Sequence, residues 1–303
     1  MNSEVTIFHF SKNFSFEKSD LLYLFFLDCG TISFVICFIQ EETKMKKLLR
    51  KVMVVFAAMV MVLGMTACSS KDSGSADNKV IVGFDNTFVP MGFLDEDGNT
   101  VGFDVDLAKE TFKRLGMEVE FQPIDWSMKE TELNSGNVDV LWNGYSLSPE
   151  RKKIVSYSDP YLQNKQIIVT MADSNINTKA DLAGKEIGTQ QESTAQAAVE
   201  ADTEFVSSLK GGAPVLYDTY DKALRDLEIG RTSAVAGDEV LIRYYMSQKG
   251  EDKYKVLEEN FGLEDYVVAF AKDNTELRDK VNDTLKEIKD DGTFDEIYAK
   301  WFK

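Results

Sequence analysis

From residue 79 onward the chain alternates short β-branched runs with amphipathic stretches. Lys79-Val80-Ile81-Val82-Gly83 reads as a strand. Val105, Ala108, Phe112 and Leu115 then recur at helical spacing up to Gly116. Val119-Glu120-Phe121 predicts a further strand, residues 126–135 a helix, and Val138-Asp139-Val140-Leu141-Trp142 a strand again. The rhythm resumes with a helix over 221–229, a strand over 233–236 and a helix from Glu239. Near the end Leu277, Val281, Leu285 and Ile288 form one apolar stripe that Gly292 closes. Thr293-Phe294-Asp295-Glu296 then matches a capping box, opening a helix that presents Phe294, Ile297, Tyr298 and Trp301. This order predicts an α/β fold in which helices cover a sheet.

The N-terminal pattern is different. Met45-Lys46-Lys47-Leu48-Leu49-Arg50-Lys51 is basic, and residues 52–67 carry no charge. That apolar run is too short for a spanning helix, which needs about 20 residues. With Cys68-Ser69-Ser70 after Thr66-Ala67 it reads as a signal peptide over 45–67. Cys68 resembles the lipidation cysteine of a bacterial lipobox, although Met65 stands where Leu is commoner. Residues 68–78 are rich in Ser, Asp and Gly and read as a flexible tether. Residues 1–44 read as an extension from a mis-called start, because a complete signal begins afresh at Met45. The competing reading is a membrane helix over 21–39, against which Asp28 stands as a buried charge.

Composition narrows the chemistry. The chain has 303 residues, one His (His9) and three Cys (Cys29, Cys37, Cys68), so neither type occurs after residue 68. The body therefore lacks the imidazole of a Ser-His-Asp or Cys-His nucleophile and the usual zinc ligands. Carboxylate-only chemistry stays open. The net charge of −17 argues against nucleic-acid binding, which needs clustered Lys and Arg. No phosphate-binding glycine loop is present, so no nucleotide hydrolysis is expected of this chain, and no cofactor or metal.

Four segments in order carry a resemblance. They are residues 83–90 (GFDNTFVP), 101–108 (VGFDVDLA), 143–151 (NGYSLSPER) and 236–240 (AGDEV), with Asp291-Gly292-Thr293-Phe294 near the end. Together they look like the polar-amino-acid solute-binding proteins of ABC importers, over residues 79–303. The resemblance implies a periplasmic-binding-protein type II (Venus-flytrap) fold, two α/β lobes joined by two hinge crossovers. Lobe one would span 79–169 plus 268–303, and lobe two 170–267. It also implies a monomeric lipoprotein outside the cell membrane, held there by lipid on Cys68. That lipoprotein would capture a free amino acid and present it to a permease whose separate ATPase subunits supply energy.

The resemblance assigns roles residue by residue. Arg151 would hold the α-carboxylate with its planar fork, and Thr194, with Ser193 beside it, would add a hydroxyl near a helix N-terminus. Asp238 and the Gly144 carbonyl would meet the α-ammonium, and Ser146 would offer its hydroxyl and N–H. Phe88 and Trp126 would flank the ligand side chain. Asp85 would face that side chain, with Glu192 adding to it, which favours lysine, arginine, histidine or glutamine. Asn143 and Tyr145 lie within the same matched segment.

Taken alone, these residues also fit blander roles. Arg151 sits in a solvated charge run, the two aromatics fit core packing, Asp85 and Asp238 fit strand-end turns, and Thr194 fits a helix cap. Two other functions stay in view, an amino-acid sensor lipoprotein uncoupled from transport and a dehydratase-like enzyme on the same fold. The intact charge set for a whole amino acid and the missing His argue against the enzyme.

Overall fold

The computed structural model describes residues 78–302. The expectations for the 1–44 extension, the signal peptide, lipidation at Cys68 and the tether up to residue 77 lie outside the described residues.

Thirteen strands and nine α-helices follow in chain order among the described residues. The strands are β1 (Lys79–Phe84), β2 (Thr87–Phe88), β3 (Gly92–Leu94), β4 (Thr100–Val101), β5 (Glu118–Pro123), β6 (Val140–Ser146), β7 (Ser156–Tyr157), β8 (Leu162–Met171), β9 (Ile187–Gln190), β10 (Val215–Tyr217), β11 (Ala234–Asp238), β12 (Tyr254–Val256) and β13 (Leu263–Phe270). The helices are α1 (Phe103–Arg114), α2 (Lys129–Asn134), α3 (Arg151–Ile154), α4 (Thr194–Ala201), α5 (Thr203–Ser208), α6 (Tyr220–Glu228), α7 (Glu239–Lys249), α8 (Thr275–Asp290) and α9 (Thr293–Trp301).

The strands run β10-β9-β11-β8-β13-β6-β1-β5, with β12 added on β8 and β7 on β13. β5, β1 and β6 are parallel to one another, as are β10, β9 and β11. The two parallel sets meet through β8 and β13, which pair antiparallel from Leu162↔Tyr266 to Lys165↔Leu263. Beyond that pairing β8 turns to β11, with Gln166 opposite Asp238, while β13 turns to β6. The fold is thus two-lobed, and two antiparallel strands are the passage between the lobes.

Helices on the sheet faces leave the central strands without a solvent side, so they read as continuous apolar runs. β6 and β11 are buried along their whole lengths. α1 buries Phe103, Leu107, Ala108 and Phe112 on one stripe. Phe103 receives Phe294, Tyr298 and Phe302 at ring separations of 5.6, 6.1 and 5.1 Å, which docks the C-terminal helix onto the first lobe.

Two expectations need correction. The 126–135 helix is split: a 3₁₀ turn at Trp126–Met128, capped by Asp125, precedes the α-helix Lys129–Asn134. The capping box at Thr293 does not form. Gly292, in the left-handed region at φ 85°, is the cap, and Thr293 is already helical. The Thr293 hydroxyl accepts from Arg114 instead, at 3.0 Å.

Candidate ligand-binding site

In open parallel sheets the carboxyl ends of strands leave a crevice where chain direction changes. The residues singled out in the sequence gather there. Asp85 follows β1, Gly144 to Ser146 end β6 and Asp238 ends β11; Gln190, which was not among them, ends β9. Between the lobes lies a nearly closed cavity of about 10 Å³, lined by Phe88, Trp126, Gly144, Ser146, Arg151, Gln190, Ser193, Thr194 and Asp238. Of the residues predicted from sequence, Asp85, Asn143, Tyr145 and Glu192 are not among the lining.

Arg151 opens α3 directly after the β6 turn and is buried. Its guanidinium lies 4.5 Å over the Tyr145 ring, so Tyr145 is the platform beneath it. It donates to the Ser146 carbonyl at 2.8 Å and to the Glu192 carbonyl at 3.0 Å, and its Nε is 3.4 Å from Glu130. Burial and Glu130 raise the Tyr145 phenol well above its ordinary range.

Lys129, which the sequence reading passed over, is buried beside it. The Lys129 ammonium donates to the Glu192 carbonyl at 2.9 Å, pairs with Glu130 at 3.1 Å and lies 5.4 Å from the Trp126 ring centre. Burial and the neighbouring Arg151 charge bring its pKa down to about 8. Glu192 acts through its backbone. Its side chain is exposed, and its φ of 56°, unusual for a residue with Cβ, turns the carbonyl toward both cations.

The opposite side is acidic. Asp238 accepts from Tyr266 at 2.6 Å, from Asn164 at 2.6 Å and from Gln166 at 3.0 Å, all on one oxygen. The same two amides donate to Glu264, at 2.8 and 2.6 Å, and so does the Ser146 hydroxyl at 2.5 Å. No Lys or Arg among the described residues pairs with Asp238 or Glu264. Burial, reinforced by the Glu264 charge, raises Asp238 to about 7. Buried carboxylates lacking a counter-cation make a place for one.

Gly144 joins the two sides. Its φ is 59°, and a Cβ there would fall 2.8 Å from Phe88 and 3.1 Å from Tyr266. Its N–H donates to the buried Asp104 at 2.7 Å, which also accepts from Tyr161 at 2.8 Å. Ser193 caps α4 through Gln196 N at 3.0 Å, so capping falls to Ser193, while the Thr194 hydroxyl accepts from Gln166 at 3.2 Å. Trp126 lines the cavity and is otherwise buried in the cleft wall. Asn143 accepts from the Asp85 N–H at 3.1 Å and so positions Asp85. Asp85 meets Gln190 across the cleft at 2.7 Å. Among the described residues no group of His, Cys, Asp or Glu is arranged to hold a metal ion.

The comparisons agree with this architecture. An arginine-binding extracellular protein, ArtP of Bacillus subtilis, is 32% identical over 257 residues, covering 84% of this chain and 98% of its own. The L-cystine-binding protein TcyJ of Escherichia coli K12 is 31% identical over 271 residues, covering 86% and 97%. The solved substrate-binding protein of a Streptococcus pneumoniae ABC uptake transporter, with histidine bound, superposes with a TM-score of 0.73. It is 38% identical and covers 75% of this chain and 93% of its own. The family profile described as bacterial extracellular solute-binding proteins, family 3, matches residues 80–303. With the two-lobed fold and its interlobe cavity, these findings show that the chain belongs to the family 3 bacterial extracellular solute-binding proteins.

Proposed function

We propose that the protein is an extracytoplasmic lipoprotein that captures a polar amino acid, basic or glutamine-like, and hands it to an ABC permease with separate ATPase subunits. One observation carries the reading. Arg151 from the first lobe and Asp238 from the second line the same small cavity. A zwitterion needs one cation and one anion at fixed separation once water is excluded. Arg151 serves the carboxylate, with Thr194 and Ser193 beside it, and Asp238 serves the ammonium. Phe88 and Trp126 supply apolar walls, as expected of a pocket with few polar anchors. The relatives described as arginine-, cystine- and histidine-binding support an amino-acid ligand without selecting one. Because such a ligand touches both lobes, binding favours the closed arrangement.

Lipid anchoring through Cys68 and action as a monomer belong to the same proposal. The function is read as binding without turnover, because Arg151 and Asp238 together answer both charges of a whole amino acid. A thermal-shift screen over the twenty amino acids tests it, because a ligand raises stability by RT ln(1 + [L]/Kd). At least one polar amino acid is expected to raise the Tm by several degrees, and Arg151→Ala to erase that shift while folding normally. An unchanged shift in Arg151→Ala would refute the assignment.

A further inference from the structure

The family resemblance sets Asp85 against the ligand's side chain, but the structure puts another residue in between. Asp85 is buried, and its Oδ1 accepts from the Thr87 N–H at 2.9 Å and the Thr87 hydroxyl at 2.7 Å. Its Oδ2 accepts from Gln190 Nε2 at 2.7 Å. That Nε2 also donates to the Asp218 carbonyl at 2.9 Å. Both partners are acceptors only, so they fix the orientation of the carboxamide: its nitrogen faces Asp85 and Asp218. Both Gln190 N–H groups are thereby used. Its Oε1 accepts no hydrogen bond among the described residues and, unlike Gln166 Oε1, is not sealed from solvent space. Gln190 lines the cavity and Asp85 does not.

We infer that Gln190, oriented by Asp85, is the residue that reads the ligand's side chain, and that the site prefers a neutral N–H donor, a carboxamide, to a guanidinium or ammonium group. The inference rests on the amino-acid reading above and narrows it. A carboxamide offers its N–H groups to the free carbonyl of Gln190 and leaves the Asp85 bond intact. A permanent cation gains fully only from the carboxylate itself. To reach it, the cation must displace Gln190 and strip a buried carboxylate of a charge-assisted hydrogen bond. Phe88 and Tyr220, with rings 6.0 Å apart across the cleft, leave no wide detour around that barrier.

Titration calorimetry with glutamine, lysine and arginine tests this on the wild type, Gln190→Ala and Asp85→Asn. The wild type is expected to bind glutamine at least tenfold more tightly than lysine or arginine. Gln190→Ala bares Asp85, so glutamine should weaken about tenfold while lysine and arginine tighten, reversing the order. Asp85→Asn offers Gln190 an amide that can donate as well as accept, so the carboxamide is no longer held one way: glutamine should weaken, and lysine and arginine should not tighten. A wild type that prefers lysine or arginine would overturn the inference. So would a Gln190→Ala variant that weakens all three equally, as a merely structural role would do. If the wild type binds no amino acid, the broader reading fails and takes this one with it.

Discussion

At the scale of single residues, the proposed function makes the electrostatics of Asp238 govern when the site works. Burial and the nearby Glu264 charge raise its pKa to about 7 in the ligand-free protein. The folded state then holds a proton that the unfolded chain, with an ordinary aspartate, has released by about pH 4 to 5. The folded state binds more protons across that window, so this group's contribution to stability falls as pH rises from about 4 to 7. Ligand binding runs the other way, since an ammonium pairs with the ionised carboxylate. Amino-acid affinity should therefore rise from pH 6 to pH 8 with uptake falling off on the acid side, accompanied by proton release at pH 7. Calorimetry in buffers of different ionisation enthalpy checks both, and an affinity flat across that range would remove Asp238 from the ammonium role. That Phe88, Arg151 and Asp238 line the cavity was legible because each sits inside a short matched segment, whereas Thr194, which also lines it, lies outside those segments and was reached through the resemblance alone. Gln190 and Lys129 were not legible, because their meaning comes from partners 105 and 63 positions away that only the folded cleft brings near.

At the scale of elements, the β6 terminus is where the site is built. β6 is buried throughout, and at Gly144 its backbone enters the left-handed region while its N–H is held by Asp104. That anchor is itself buried and raised to about 7 by desolvation, so it keeps its bonds to Gly144 and Tyr161 in a nearly dry setting. Gly144→Ala would bring Cβ to 2.8 Å from the Phe88 ring and strain φ, with a cost of roughly 1–3 kcal/mol. The expected result is a Tm lower by several degrees and a weakened ligand, since Phe88 must move out of the cavity wall. A variant of wild-type Tm and affinity would show that β6 does not set the pocket's shape.

Most strands and helices followed from hydrophobic period, because buried parallel strands and amphipathic helices have distinct patterns. The misread places are instructive. Thr293 looked like a cap, yet Gly292 alone among its neighbours takes φ 85° without cost, and the hydroxyl was free to serve Arg114. Residues 126–135 looked like one helix, but the Asp125 side chain holds a tighter first turn through the Ser127 N–H at 2.9 Å.

At the scale of the whole molecule, the proposed function makes closure and recognition one event. Hydrogen bonds cross the cleft from Lys129 and Arg151 to the Glu192 carbonyl and from Gln190 to Asp85, and the Phe88 and Tyr220 rings face each other over it. The Glu192 carbonyl offers Arg151 an oxygen, as a ligand carboxylate would, which explains how the lobes meet around so small a space. A charge-assisted bond contributes about 1.5–3 kcal/mol when well made, so these contacts bias the lobes toward meeting, while the ligand's two charges add the coupling that locks them. The two-lobed arrangement was legible in the sequence through ordered motifs. The tightness of the closed cleft was not, because it depends on Lys129 of α2, Arg151 of α3, Gln190 of β9, Asp85 just after β1 and the Glu192 carbonyl, which share no local pattern.

In the proposed function, opposite charges on the two lobes grip opposite charges on one amino acid. Titration calorimetry tests it from the ligand's side, comparing the best amino acid from the screen with two near-isosteric analogues. One replaces the α-carboxylate by a carboxamide, the other the α-ammonium by a hydroxyl. Each buried charge pair left half-filled costs several kcal/mol, so both analogues should bind at least 100-fold more weakly. An analogue that binds within threefold of the amino acid would contradict the pairing of Arg151 with the carboxylate or of Asp238 with the ammonium.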